Sequence, residues 1–127
     1  MFILDENIAN FERLKLLKLN IKVKQIGVDI NVKGIQDEDI IPFLHSLKDT
    51  TFFSWDSDFY NIKFIHKNYC LVYLDTNKKV IAEFINKFLN LHLFDTKEKR
   101  KGKIIKITST RIKWYEINYE KELIYLW

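Results

Sequence analysis

Tyr69-Cys70-Leu71-Val72-Tyr73-Leu74 is an almost uninterrupted apolar run, and the stripe Val80, Ile81, Phe84, Ile85, Phe88, Leu89 follows it at helical spacing. A run of that length suits a strand buried on both faces, which is the habit of parallel sheets. The helix after it, expected over Lys78 to Leu91, supplies the crossover that parallel strands require. Upstream the same alternation recurs. Phe2-Ile3-Leu4 reads as a short buried strand, and Asn10 to Leu19 as an amphipathic helix with Phe11, Leu14 and Leu17 on its apolar face. Ile21 to Ile26 alternates like a half-exposed strand, and Gly27 to Gly34 reads as a loop. Gln36-Asp37-Glu38-Asp39 opens a helix carrying Ile40, Ile41, Phe43, Leu44 and Leu47, with acidic residues at its positive end. Thr51 to Trp55 is the third strand, and Asn61 to His66 a short helix.

After Asp95 the pattern changes. Lys97 to Lys103 is a charged loop, and Ile104 to Thr108 and Arg111 to Ile117 flank Ser109-Thr110 as a β-hairpin. The expected architecture is therefore α/β with a mainly parallel sheet and a C-terminal β-hairpin extension. It forms a single domain over 1–127, with 1–95 as the α/β core and 96–127 as the extension.

Composition narrows the function classes. With 47% hydrophobic residues in 127, the chain can bury a real core. No apolar stretch approaches the roughly 20 residues of a membrane helix, and charges follow directly after Leu4, so neither a membrane partner nor a secretory leader is expected. The lone Cys70 excludes an internal disulfide, and no Cys/His spacing suggests zinc. A cytoplasmic location is the resulting expectation. The net charge of +4 favours a polyanionic partner, although an AT-biased genome yields the same lysine-rich composition without any function.

Two acidic clusters stand directly behind apolar runs: Asp5-Glu6-Asn7 after Phe2-Ile3-Leu4, and Asp56-Ser57-Asp58 after Thr51 to Trp55. Ligands of open parallel sheets bind beyond the carboxyl ends of strands, where strand order reverses. If the first and third strands are neighbours, Asp5, Asp56 and Asp58 meet above one sheet edge, with Asp37 arriving from a crossover helix. Carboxylates gathered in this way repel unless a cation compensates them, and oxygen-only ligands favour Mg2+ or Mn2+. Each cluster also has an ordinary reading: Asp5-Glu6-Asn7 as a helix cap, Asp37 as a dipole-favoured helix start, and Asp56-Ser57-Asp58 as a turn.

The same residues carry a family resemblance. Phe2-Ile3-Leu4-Asp5-Glu6-Asn7, Gln36-Asp37-Glu38-Asp39-Ile40-Ile41 and Ser54-Trp55-Asp56-Ser57-Asp58-Phe59 together resemble the compact PIN-like branch of the PIN-domain superfamily. In that branch a strand ends L-D-E-N, a middle helix begins S-D-E-E-I-L, and a later strand ends T-x-D-x-D-F. The resemblance covers about the first three-quarters of the chain. It implies a three-layer α/β/α sandwich and an Mg2+- or Mn2+-dependent ribonuclease related to VapC-type toxins of toxin–antitoxin pairs. By that resemblance Asp5, Asp37, Asp56 and Asp58 are the catalytic and metal-site residues, and Glu38 substitutes if Asp37 only caps its helix. Asn7 orients Asp5 or a water, and Ser54 stands where the family usually has Thr. Gln36 and Ser57 depart from the pattern.

The implied partners are an RNA substrate and a cognate antitoxin. The alternative is a non-catalytic PIN-like scaffold that binds RNA or a partner protein. Lys99, Arg100 and Lys101 with Arg111, Lys113, Trp114 and Tyr115 suggest a basic, aromatic face for single-stranded RNA, the ordinary reading being a solvated loop and strand. The apolar end Leu123 to Trp127 packs on its own core, or docks a second subunit as a homodimer or an antitoxin.

Overall fold

The computed structural model describes residues 1–30 and 37–127, with the side chain of Asp37 left out. Part of the loop expected over Gly27 to Gly34, and Gln36 of the middle motif, lie outside the described residues. The elements in chain order are β1 (Phe2–Leu4), α1 (Asn10–Lys18), β2 (Val23–Gln25), α2 (Asp37–His45), β3 (Thr50–Ser54), β4 (Tyr69–Leu74), α3 (Ile81–Asn90), α4 (Lys97–Arg100), β5 (Lys103–Ile107), β6 (Arg111–Glu116) and β7 (Tyr119–Leu126).

The protein is mixed α/β. Its seven strands form one sheet in the order β2-β1-β3-β4-β5-β6-β7. The first five run parallel, with Leu4 beside Gln25 and Phe53, Phe53 beside Val72, and Val72 beside Ile105. From β1 the chain steps outward to β2, then returns across β1 to β3 and continues to β5. The order therefore reverses between β1 and β3.

Alternation along the strands sorts the core into two clusters. Leu4, Phe53, Val72, Leu74, Ile105 and Ile107 share one with Leu16 of α1 and Ile81, Ala82, Ile85 and Phe88 of α3. Ile3, Phe52, Leu71 and Ile104 share the other with Ile40 and Leu44 of α2 and with Phe59. Neighbours Phe52 and Phe53 are both fully buried, one on each face. Side chains of this size contribute about 1.5–3 kcal/mol each when taken from water.

Helix α1 departs from the expected apolar face. Glu12 and Leu16 point inward, while Phe11, Leu14 and Leu17 are exposed, Phe11 at 66%. The inward face is set by α3: Glu12 Oε1 accepts the amide of Ile81, the first residue of α3, at 3.2 Å, and Lys15 reaches Glu83 at 3.1 Å. Val80, the residue before α3, provides no side-chain cap, so a carboxylate from another helix satisfies that orphan amide.

Other boundaries are shorter than the sequence suggests. The second strand spans three residues, and the short helix after Asn61 is one 3-10 turn, Ile62–Phe64, capped by the Asn61 side chain. Lys97 to Arg100 winds into α4 under a Thr96 cap. Strand β5 joins β4 in parallel and β6 antiparallel, so it belongs to the main sheet. Strand β7 pairs antiparallel with β6, after a turn in which Asn118 has φ 64°.

Candidate active site

Strands β1 and β3 are neighbours, so the chain after each emerges at the same edge of the sheet, at the point where strand order reverses. This is where open α/β sheets bind ligands. Asp5 follows β1 directly. Its amide donates to Phe53 O at 2.9 Å, which holds the residue on the β3 ladder, and its side chain is only 6% exposed. Asp5 Oδ1 accepts the Glu6 amide at 2.8 Å, and Oδ2 accepts the Ser54 hydroxyl at 2.7 Å. Ser54 ends β3 and is fully buried. Its Oγ also accepts the Asp56 amide at 3.0 Å, so one hydroxyl ties Asp5 to Asp56.

Asp5 does not cap α1. That helix starts after Ala9 with no side-chain cap, and the Asp5 carboxylate is spent on Glu6 and Ser54 instead. Burial pushes the Asp5 carboxyl above its ordinary range. The Ser54 and Glu6 hydrogen bonds pull it back, and the charges of Asp56 and Glu6 raise it further. A buried acid pressed by a neighbouring carboxylate is a perturbed group of the kind that collects at functional sites.

Asp56 is half-buried. Its Oδ1 accepts the Asp58 amide at 2.9 Å, which starts the 3-10 turn Ser57–Phe59; the turn reading of this cluster is thus satisfied as well. The Asp58 side chain is exposed. It lines a groove of about 370 Å³ together with Glu38, Tyr60, Asn61 and Lys63. The structure therefore places the acidic residues in two sets: Asp5 and Asp56 joined by Ser54 at the strand ends, and Asp58 with Glu38 in the lining of the groove. The side chain of Asp37 lies outside the described residues. Among the described residues, no three His, Cys, Asp or Glu side chains gather as a metal-holding group. The donor chemistry of the inner pair fits a hard cation nonetheless. Asp5 and Asp56 offer oxygen alone, each Asp5 oxygen keeps a lone pair beyond its hydrogen bond, and a cation would relieve the Asp56 charge that adds to burial in raising the Asp5 carboxyl. Asn7 is exposed beside them.

Sequence reasoning missed Gln25. This buried residue ends β2, and its Nε2 donates to Ile8 O at 2.6 Å, Asp5 O at 3.0 Å and Glu6 O at 3.4 Å. It clamps the loop that carries Asp5. The available signal was a primary amide at the carboxyl end of a strand flanking β1. Glu6 lies against Gly27, whose φ of +84° is strained for any L side chain and where an added Cβ would come within 2.9 Å of Glu6 Oε1.

The basic face expected from the sequence divides. Arg100 is 6% exposed and structural: its Nε donates to Thr51 Oγ1 at 3.1 Å, its NH1 to Phe94 O at 2.9 Å, and its guanidinium lies 5.1 Å from the Phe2 ring centre. Lys99 pairs with Asp95 and Lys101 with Asp49. These residues precede β5 and sit at the amino edge of the sheet, where the Met1 amine donates to Asp49 O. Arg111 and Lys113 run along β6, whose first residues lie beside the end of β5, at the Asp5 edge. The reversal from β5 to β6 separates the two basic groups by the length of the sheet. Cys70 is fully buried, and burial pushes its thiol up to about 12, so it is unreactive at neutral pH.

Among known proteins, no family model, no curated protein and no solved structure matches this chain.

Proposed function

We propose that this chain is a PIN-like ribonuclease that hydrolyses RNA phosphodiesters at the Asp5–Ser54–Asp56 site with the help of Mg2+ or Mn2+. The observation that carries the reading is the Ser54 hydroxyl bonded at once to Asp5 Oδ2 and to the Asp56 amide, at the point where strand order reverses. The Ser54 hydroxyl, 49 residues along the chain from Asp5, thus links the Asp5 carboxylate to the Asp56 backbone, within two of the motifs that carry the family resemblance. In this reading the fold is a three-layer α/β/α sandwich, with the strands after Gly102 as its C-terminal hairpin.

Asp5 and Asp56 would hold the principal cation, with Asp37 and Asp58 completing the site and Glu38 as the substitute for Asp37. A bound Mg2+ or Mn2+ supplies charge neutralisation at the phosphodiester and a water of lowered pKa. The chain's own residues do the rest. Ser54 and the Glu6 amide fix the Asp5 carboxylate and partly offset the upward push of burial on its pKa. The Asp58 amide fixes Asp56. Gln25 holds the Asp5 loop against β2, so the carboxylate meets its ligand with little reorganisation.

One feature favours a second reading, a non-catalytic PIN-like scaffold that binds RNA or a partner protein: among the described residues no third carboxylate gathers with Asp5 and Asp56, and Asp58 and Glu38 line a groove whose lining includes neither. Incubation of an unstructured RNA with the protein in Mg2+ and in Mn2+ separates the two. Cleavage that disappears in Asp5→Asn and Asp56→Asn supports the nuclease. No cleavage by the parent in either metal, or cleavage that persists in both variants, supports the scaffold.

A further inference from the structure

The register of the sheet lays a row of side chains beside the acidic pair. Ser54 pairs with Tyr73, Tyr73 with Lys106, and Lys106 with Lys113. All four lie on one face, because their strand neighbours Phe53, Val72, Leu74, Ile105, Ile107, Ile112 and Trp114 fill the cluster on the other. The row crosses three strand spacings, about 14 Å, from the Asp5 partner to β6. Arg111 follows at the exposed rim of the same face, and Tyr115 lies one row down, its ring 5.6 Å from that of Tyr60 at the groove.

Lys106 and Lys113 stand directly opposite each other on antiparallel strands. Like charges in that position oppose folding. A nearby acid compensates Lys106 alone. Asp75, itself half exposed, reaches Lys106 at 3.8 Å, and Glu122 accepts the Tyr60 hydroxyl. Among the described residues, Lys113 has no carboxylate within ion-pair distance. Two opposed cations with a tyrosine beside them, in line with a carboxylate pair, make a surface that an anionic chain relieves.

We propose that Tyr73, Lys106, Lys113 and Arg111 form a track for single-stranded RNA. The lysines and Arg111 neutralise successive phosphates, Tyr73 and Tyr115 offer ring faces to bases, and the strand is led across β6, β5 and β4 to the Asp5–Asp56 pair. Stacking on tyrosine tolerates any base, so the track is sequence-indifferent and requires unpaired bases. That the track feeds a cutting site rests on the nuclease reading; the binding itself does not.

The test uses the full chain carrying Asp5→Asn and Asp56→Asn, so that bound RNA survives, and measures anisotropy of a labelled 12-nucleotide poly-U at several salt concentrations. Adding Lys106→Glu with Lys113→Glu should weaken binding by roughly tenfold or more and lower the slope of log affinity against log salt by about 1–2. Tyr73→Ala should weaken it by about fivefold or more with the slope unchanged. Lys99→Glu with Lys101→Glu, at the opposite edge, should leave binding within about twofold of the parent. Lys106→Gln with Lys113→Gln replaces the glutamate pair if that pair does not fold. Affinity and salt slope unchanged in the lysine variants would overturn the track, as would no binding by the parent, equal binding of a blunt duplex, or displacement by poly-glutamate as effective as by RNA. Track-dependent binding without cleavage by the Asp5/Asp56 parent would keep the track and sink the nuclease reading; cleavage unaffected by the lysine changes would do the reverse.

Discussion

The Ser54 hydroxyl donates to Asp5 Oδ2 at 2.7 Å across the boundary between β3 and β1, inside the protein. This bond makes the end of one strand a support for the carboxylate of another. It works against burial, which raises the Asp5 carboxyl, and so favours the ionised form that a cation or a proton transfer would need.

Asp5 is therefore a cost to the fold at neutral pH. Its folded pKa lies above the ordinary value of 3.8, so its contribution to stability is fully present below that value and is lost as pH rises through the folded pKa. In EDTA, Asp5→Asn should melt above the parent at pH 7, and the gap should shrink as the pH falls through the folded pKa and close well below 3.8, where Asp5 is protonated in both states. Thermal scans across that range check both the sign and the pH trend. A variant less stable than the parent at pH 7 would contradict the burial argument.

Gln25→Leu removes the amide that serves the carbonyls of Asp5, Glu6 and Ile8 while keeping an apolar side chain of similar length. The Ile8 carbonyl loses its 2.6 Å partner while the Asp5 carbonyl keeps the Ile8 amide, and the protein should be destabilised by about 1–3 kcal/mol in urea titration. Any cleavage activity should fall as well, because the Asp5 loop loses its clamp. An unchanged midpoint would show that water replaces the glutamine without loss.

Glu12 caps α3 from α1, so its removal should weaken the contact between the two helices. Glu12→Ala should cost about 1–3 kcal/mol, and Glu12→Gln, which retains an acceptor for the Ile81 amide, should recover much of it. Equal losses in the two variants would instead assign the effect to the charge near Lys15.

The parallel part of the fold was legible because it follows from patterning. The run Tyr69–Leu74 and the stripe through Ile81, Ile85 and Phe88 each satisfy one period throughout. Helix α1 was misread for a physical reason. Its inward face is chosen by a hydrogen bond from Glu12 to another helix, and no local periodicity reports such a contact. Strand β7 was missed because Glu120, Lys121 and Glu122 interrupt its alternation; the pairing partner β6 decides its conformation. At the site, Asp5, Ser54 and Asp56 could be named from the sequence because strand ends of a parallel sheet are predictable places. Gln25 and Lys106 could not, since their places depend on strand order and register, and Lys113 was named without its opposite number. Arg100 looked like part of a basic surface, yet Thr51, Phe94 and Phe2 enclose it.

Titration of MnCl2 into the parent, Asp5→Asn and Asp56→Asn, followed by melting temperature relative to each protein's own EDTA baseline, addresses the shared cation site most directly. Binding to the folded state should raise the parent's stability with metal concentration, by about 2.7 kcal/mol at a hundredfold excess over Kd, while either substitution should remove most of that rise. A parent curve that stays flat to millimolar Mn2+, or an undiminished rise in both variants, would contradict the account.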